Sequence, residues 1–169
     1  MENELVALAR KTIDVYIKQK KKIAVPQELS ADLKEKAGVF VSLHRKGQLR
    51  GCIGTFTPTT ENVANEIIAN AIESAVNDPR FPSLTVNELE DLEISVDVLS
   101  APEAIGSIKD LDAKKYGVIV KAGSQKGLLL PDLEGVNTPE EQIAICKRKA
   151  GISDDATIEL FRFKVRRFE

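Results

Sequence analysis

The chain has no tryptophan, two tyrosines and six phenylalanines in 169 residues, so its core must rest on Ile, Leu, Val and Ala. Histidine occurs once and cysteine twice. That scarcity argues against a His- or Cys-based metal cage, because neither cysteine has ligands at metal-binding spacing around it; only carboxylates could hold a hard cation without leaving a motif. In a chain of this composition the two cysteines are expected as free thiols rather than as a disulfide. Long apolar runs are missing too, and no stretch approaches the roughly eighteen residues that a membrane span requires. The first residues, Met1 to Glu4, lack the basic-then-apolar pattern of a signal peptide, so a cytoplasmic location is expected. Nor is there a surplus of positive charge. Lys+Arg at 24 against Asp+Glu at 26 give a net charge of −2, which offers polyanions no long-range attraction and disfavours nucleic acid as a partner.

A composition of 43% hydrophobic and 30% charged residues is that of an ordinary globular fold, one domain over residues 1–169 with a small lobe at about 103–150. Leu5, Leu8, Ala9, Thr12, Ile13 and Tyr16 recur at helical spacing and predict a helix from about Glu2 to Lys20. Its lysine-rich end, Lys18 to Lys22, complements the helix dipole. A short helical piece is expected around Glu28 to Lys36. Thr59 or Thr60 is placed as the cap of a helix running to Asn77, which Asp78-Pro79-Arg80-Phe81-Pro82 stops, with Phe81 as the core plug of a rigid corner. Thr138-Pro139-Glu140-Glu141 opens a helix that Gly151 closes, with Cys146 on its inward face.

Strands fill the remainder. Val39 to His44 and Gln48 to Phe56 read as a hairpin around Arg45-Lys46-Gly47, with Leu43 opposite Leu49 and Val41 opposite Gly51. Leu92 to Leu99 is a strand with Ile94, Val96 and Val98 on one face and Ser95 and Asp97 on the other. A second hairpin joins Tyr116–Lys121 to Leu128–Leu130 across Gly123 to Gly127. The last strand, Ile158 to Phe168, alternates apolar residues with Arg162, Lys164 and Arg166, a basic row expected on a solvated face. The fold class is therefore α+β: a mainly antiparallel sheet of two hairpins plus further strands, flanked by helices. The strands at 39–56, 93–99 and 158–168 are assigned to the large lobe.

The hexapeptide Leu49-Arg50-Gly51-Cys52-Ile53-Gly54 places an arginine and one of the two cysteines among glycines that permit close backbone approach. Strand alternation predicts that Arg50 and Cys52 share a face roughly 7 Å apart, where the guanidinium would favour a Cys52 thiolate for nucleophilic catalysis. His44 cannot serve as its base in this register, since it lies about 13 Å from Cys52, or about 10 Å after a one-residue slip. The stretch has neither the length nor the lysine of a P-loop.

Taken in order, Leu49–Gly54, Asp78–Pro82, Glu93–Ser100, Tyr116-Gly117-Val118, Gly127–Pro131 and Lys149-Ala150-Gly151 resemble the AMMECR domain family from about Gly38 onward. Pro131 to Gly135 departs from the family pattern. In prokaryotes such chains are similar to one component of the AmmeMemoRadiSam system. The resemblance implies an α+β fold with two lobes around a cleft, an activity near the hexapeptide that is not assigned to a reaction, and as partners a Memo-like protein and a radical S-adenosylmethionine protein. It names no cofactor.

Three functional classes stay open: an enzyme using Cys52 with Arg50 and Arg80 on a small anion, a non-catalytic ligand-binding subunit with Arg50, Gly51, Gly54 and Arg80 around the same cleft, and an adaptor in which the hexapeptide is a packing element. If Arg50 and Arg80 converge on one cleft with Cys52, an anion such as phosphate or a carboxylate should stabilise the fold, and Cys52 is expected to react faster than Cys146.

Overall fold

In the computed structural model, which describes residues 1–169, the Asn3 side chain accepts the Leu5 N–H at 2.9 Å and starts helix α1 (Glu4–Gln19). Ser30 caps a single-turn helix α2 (Ala31–Lys34), shorter than expected. Strands β1 (Gly38–Arg45) and β2 (Gln48–Gly54) form the first hairpin, and α3 (Val63–Val76) follows. After a 3-10 helix (Val86–Asp91) comes β3 (Leu92–Leu99), as the alternation predicts. The sequence then gives β4 (Glu103–Ile105), β5 (Gly117–Ala122), β6 (Gln125–Leu129), α4 (Pro139–Ala150), β7 (Glu159–Phe163) and β8 (Val165–Phe168). Two four-stranded sheets with helices make the fold α+β, and no helix is long and apolar enough to cross a membrane.

The chain divides into two compact units, residues 1–99 with 166–169 and residues 100–165. The first holds the sheet ordered β2-β1-β3-β8. α1 and α3 bury its Val39, Val41, Leu43, Ile94, Val96 and Val98 against Leu5, Ala9, Ile13, Val63, Ile67 and Ala71. The opposite sheet face carries Phe40 and Ser42 from β1 with Ser95 and Asp97 from β3, which are paired in register. The second unit holds the sheet β4-β7-β5-β6, with α4 against β5 and β6 over a small core of Val118, Val120, Leu129 and Cys146.

Several local expectations are corrected. Asn62, rather than Thr59 or Thr60, caps α3 by accepting the Asn65 N–H at 2.9 Å. The two threonines serve Glu66 instead: its fully buried carboxylate accepts both of their backbone N–H groups and the Thr55 hydroxyl, tying the preceding loop to the helix. Phe81 is only half buried. Leu84 is the residue that enters the core, at 4% exposure.

The first hairpin turns in two residues, with Lys46 at φ 51° and Gly47 at φ 75°, a pair of positive values that matches strand twist. Leu43 pairs with Gly51 but His44 with Leu49, so Arg50 is an extra residue, a β-bulge. Together these shift the inner pairing by two places: Ser42 lies opposite Cys52 and Val41 opposite Ile53. The second hairpin also turns in two residues, Gly123-Ser124, because Gly127 belongs inside β6. A Cβ on Gly127 would collide with the Cys146 main chain of α4, so glycine here permits helix contact rather than a loop.

The expected last strand is two strands in two sheets. β7 pairs with β5 and β4, β8 adjoins β3, and Lys164 between them bonds Ser100 through both its N–H (2.8 Å) and its carbonyl (2.9 Å). Residues 159–163 therefore lie outside the large unit to which they were assigned. The basic row is not simply solvated either. Arg162 binds Glu103 at 3.2 Å and stacks 4.4 Å over the Tyr116 ring, while Arg166 pairs with Asp32 and Glu35.

Close helix approach makes Gly51 a test of the packing, since a Cβ there would collide with the Ser74 carbonyl of α3. Gly51→Ala should cost about 1–3 kcal/mol through overpacking. Gly106→Ala, where nothing lies within 4 Å of the added carbon, should cost little. Denaturant midpoints of the two variants check this, and equal midpoints would refute it.

Candidate functional site

β2 is the edge strand of its sheet, and at Cys52 its outward main chain is met by the turn that ends α3. The Cys52 N–H donates to Asp78 Oδ2 at 3.0 Å, and the Cys52 carbonyl accepts from Arg80 Nη2 at 3.3 Å. Asp78 also accepts the Arg80 N–H at 3.0 Å, Nε at 3.0 Å and Nη2 at 2.8 Å. This is an Asx turn completed by a bidentate guanidinium, between Pro79 and Pro82 that limit its freedom. The Arg80 guanidinium holds the Asp78 carboxyl far below the usual carboxylate range. Asp78 is buried, whereas the Arg80 side chain is 55% exposed and lies over the Phe81 ring.

The Cys52 side chain meets Ser42 across the hairpin, with Sγ and Oγ 3.2 Å apart. Burial pushes the thiol pKa above its ordinary value of 9.0, outweighing the Ser42 hydrogen bond and the Arg80 charge that favour thiolate; Asp97 and Asp78 oppose it further. Asp97 is itself buried and paired with Arg167 through two bonds of 2.8 Å. The register brings His44 nearer than expected. It stands two residues from Ser42 along β1, a diagonal of about 7–8 Å from Cys52 rather than 13 Å, yet the thiol's hydrogen bond is to Ser42.

Arg50 belongs to a different cluster. Its Nε and Nη2 bind the two oxygens of Glu88 at 2.9 and 3.1 Å, and Arg45 Nη1 reaches the same carboxylate at 3.1 Å. Glu88 also accepts the Thr85 N–H at 2.8 Å, closing a capping box on the 3-10 helix. Arg50 first, then the Thr85 bonds, draw the Glu88 pKa down to about 2 against the penalty of burial. Of the residues singled out from the sequence, the structure thus joins Cys52 with Arg80 and places Arg50 with Glu88. Gly51 serves the approach of α3, and Gly54 leaves room for the Phe40 ring, which a Cβ would strike. The acids that organise both clusters, Asp78 and Glu88, were missed. Asp78 was signalled by its position before Pro-Arg at a helix end; Glu88 follows Thr85 by three residues, a capping-box spacing.

The family model described as AMMECR1 matches residues 6–168. A protein of Thermotoga maritima is 49% identical over 174 residues, covering 99% of this chain and 98% of its own length. A protein of Clostridium acetobutylicum is 51% identical over 92% of this chain, which spans 34% of that longer protein. The crystal structure of an uncharacterised protein from Pyrococcus horikoshii matches with a TM-score of 0.86 at 36% identity, over 96% of this chain and 88% of that one.

Two measurements follow from the electrostatics. With pKa values above 9 for Cys52 and about 11 for Cys146, thiolate at pH 7 is below about one part in a hundred at either. Alkylation of the half-buried Cys52 should precede that of the fully buried Cys146, and both rates should rise with pH between 7 and 9; a pH-independent Cys52 rate would contradict this. For Glu88, the folded pKa of about 2 lies below the ordinary 4.5, so its pairing stabilises the fold fully above about pH 5 and is lost as pH falls through 2. Glu88→Gln should therefore be less stable than wild type at pH 7, with the gap narrowing as pH falls between those limits.

Proposed function

The chain belongs to the AMMECR1 family, and on that premise we propose that it acts as a non-catalytic binding subunit, protein A of the AmmeMemoRadiSam system, that offers the Cys52–Arg80 edge of its sheet to an anionic group of a ligand or partner. The observation that carries this reading is the geometry at Cys52: a half-buried thiol bonded to Ser42, its pKa pushed by burial above the ordinary value, beside a guanidinium that is firmly positioned by Asp78 yet 55% exposed. A thiol held protonated is a poor nucleophile, whereas a preorganised cation with an open side is a receptor for carboxylate or phosphate. The partners are a Memo-like protein and a radical S-adenosylmethionine protein, and the chain works in the cytoplasm. Arg50 contributes by holding Glu88 rather than by meeting the ligand.

A second reading, an adaptor in which the hexapeptide is purely a packing element, draws support from the close contacts at Gly51 and Gly54 and from the pairing of Arg50 with Glu88. Thermal shifts across an anion panel separate the two. Under the first reading, carboxylate or phosphate raises the wild-type midpoint, reflecting a stabilisation of about 2.7 kcal/mol at a hundredfold excess over Kd. That gain shrinks in Arg80→Ala judged against its own ligand-free baseline, and Arg80→Ala also weakens capture of a purified Memo-like protein. If neither anion nor partner responds to Arg80, the adaptor reading stands. Turnover of any substrate that vanishes in Cys52→Ala would overturn the non-catalytic assignment.

A further inference from the structure

The tip of the first hairpin carries a feature that the Cys52–Arg80 edge does not use. A cavity of about 230 Å³ opens there, lined by Arg45, Lys46, Gln48, Leu49, Arg50 and Glu88. Cavities for drug-sized ligands start at about 300 Å³, so this one suits something smaller. Its wall is rich in donors. Glu88 occupies Nε and Nη2 of Arg50, which leaves Arg50 Nη1 without a partner, and Glu88 with Asp91 occupies both terminal nitrogens of Arg45. Arg45 Nε is buried, without a hydrogen-bond acceptor, and closed to the cavity. With both arginines compensated, Lys46 is the lining cation that forms no ion pair, so the cavity retains positive charge.

The backbone around the cavity is also arranged against local preference. Lys46 takes φ 51° at a turn position where Asn or Gly is the usual choice, a conformation that ordinary side chains disfavour. The bulge at Arg50 interrupts strand alternation within one turn of it. Bulges re-aim side chains, and local rules are most often broken where a site requires it. Leu49, exposed to 38%, adds an apolar wall suited to a short carbon chain.

We infer that this cavity is a binding site for a small, doubly charged oxyanion, a phosphate or a short dicarboxylate, held by Lys46, Gln48 and the remaining guanidinium donor of Arg50. It is separate from the Cys52–Arg80 edge and does not depend on that reading.

Amide chemical-shift titrations of the whole chain with inorganic phosphate and with succinate, at constant ionic strength, test it. Saturable shifts centred on residues 45–49 are expected with at least one probe, and the probe that saturates at lower concentration identifies the geometry preferred. Lys46→Asn keeps a side chain that tolerates positive φ and should raise Kd about three- to fivefold, the worth of one exposed ion pair. Gln48→Glu, on an exposed strand position, should weaken binding further by adding like charge, whereas Arg80→Ala should leave Kd unchanged. No saturation with either probe, or a Kd indifferent to both Lys46→Asn and Gln48→Glu, overturns the inference. Shifts centred instead on Cys52 and abolished by Arg80→Ala also overturn it, while supporting the edge as the anion site.

Discussion

A single buried carboxylate, Asp78, fixes the relation between the helical layer and the edge of the sheet in the first unit. It accepts the Cys52 N–H on one side and three N–H groups of Arg80 on the other, so the turn that ends α3 is locked to β2. An ionised carboxylate out of water is tolerable only with such charge-assisted bonds, which is why the Asp78–Arg80 pair behaves as one group. From that anchor the chain reaches Leu84, whose N–H returns to the Ala75 carbonyl at 2.8 Å and whose side chain enters the core. The same bonds occupy the outward main chain of Cys52, which blunts the sheet edge against pairing with another strand.

The polar groups of this unit are sorted into closed sets. Glu66 gathers the loop before α3, Asp97 takes Arg167, Glu88 takes Arg50 and part of Arg45, and Asp78 takes Arg80. Each set answers a structural demand before it offers any chemistry. What is left over is narrow: the outer side of the Arg80 guanidinium beside a neutral thiol, and the donors around Lys46 at the hairpin tip. At the first, burial holds the thiol pKa above its ordinary value; at the second, the cation Lys46 forms no ion pair.

Much of the architecture was legible in the sequence because it rests on local rules. The apolar spacing of Leu5 to Ile13 specifies α1, the Thr138-Pro139 start and Gly151 stop specify α4, and the alternation of Ile94, Val96 and Val98 specifies β3, since each depends on neighbours a few residues away. The hexapeptide was recognisable as a special stretch, whereas the bonds between Cys52 and the Arg80 turn are set by packing across 28 residues. Arg50 pairs with Glu88 instead of grouping with Cys52 as expected.

The sequence by itself determined which segments are helix or strand, which faces are apolar, and that Cys52 lies on a strand across from β1. Tertiary structure alone decided the register, because alternation says which face a residue takes but not which residue it faces: a two-residue turn at Lys46-Gly47 and one extra residue at Arg50 moved Cys52 opposite Ser42. It alone decided that residues 158–168 serve two sheets, since the alternating pattern runs on unbroken through Lys164 while the hydrogen-bonding neighbour changes. And it alone decided the charge partners. Glu88 and Asp78 lie 38 and 26 residues from Arg50 and Cys52, and a contact over such a distance is set by how the layers pack, which no local spacing encodes.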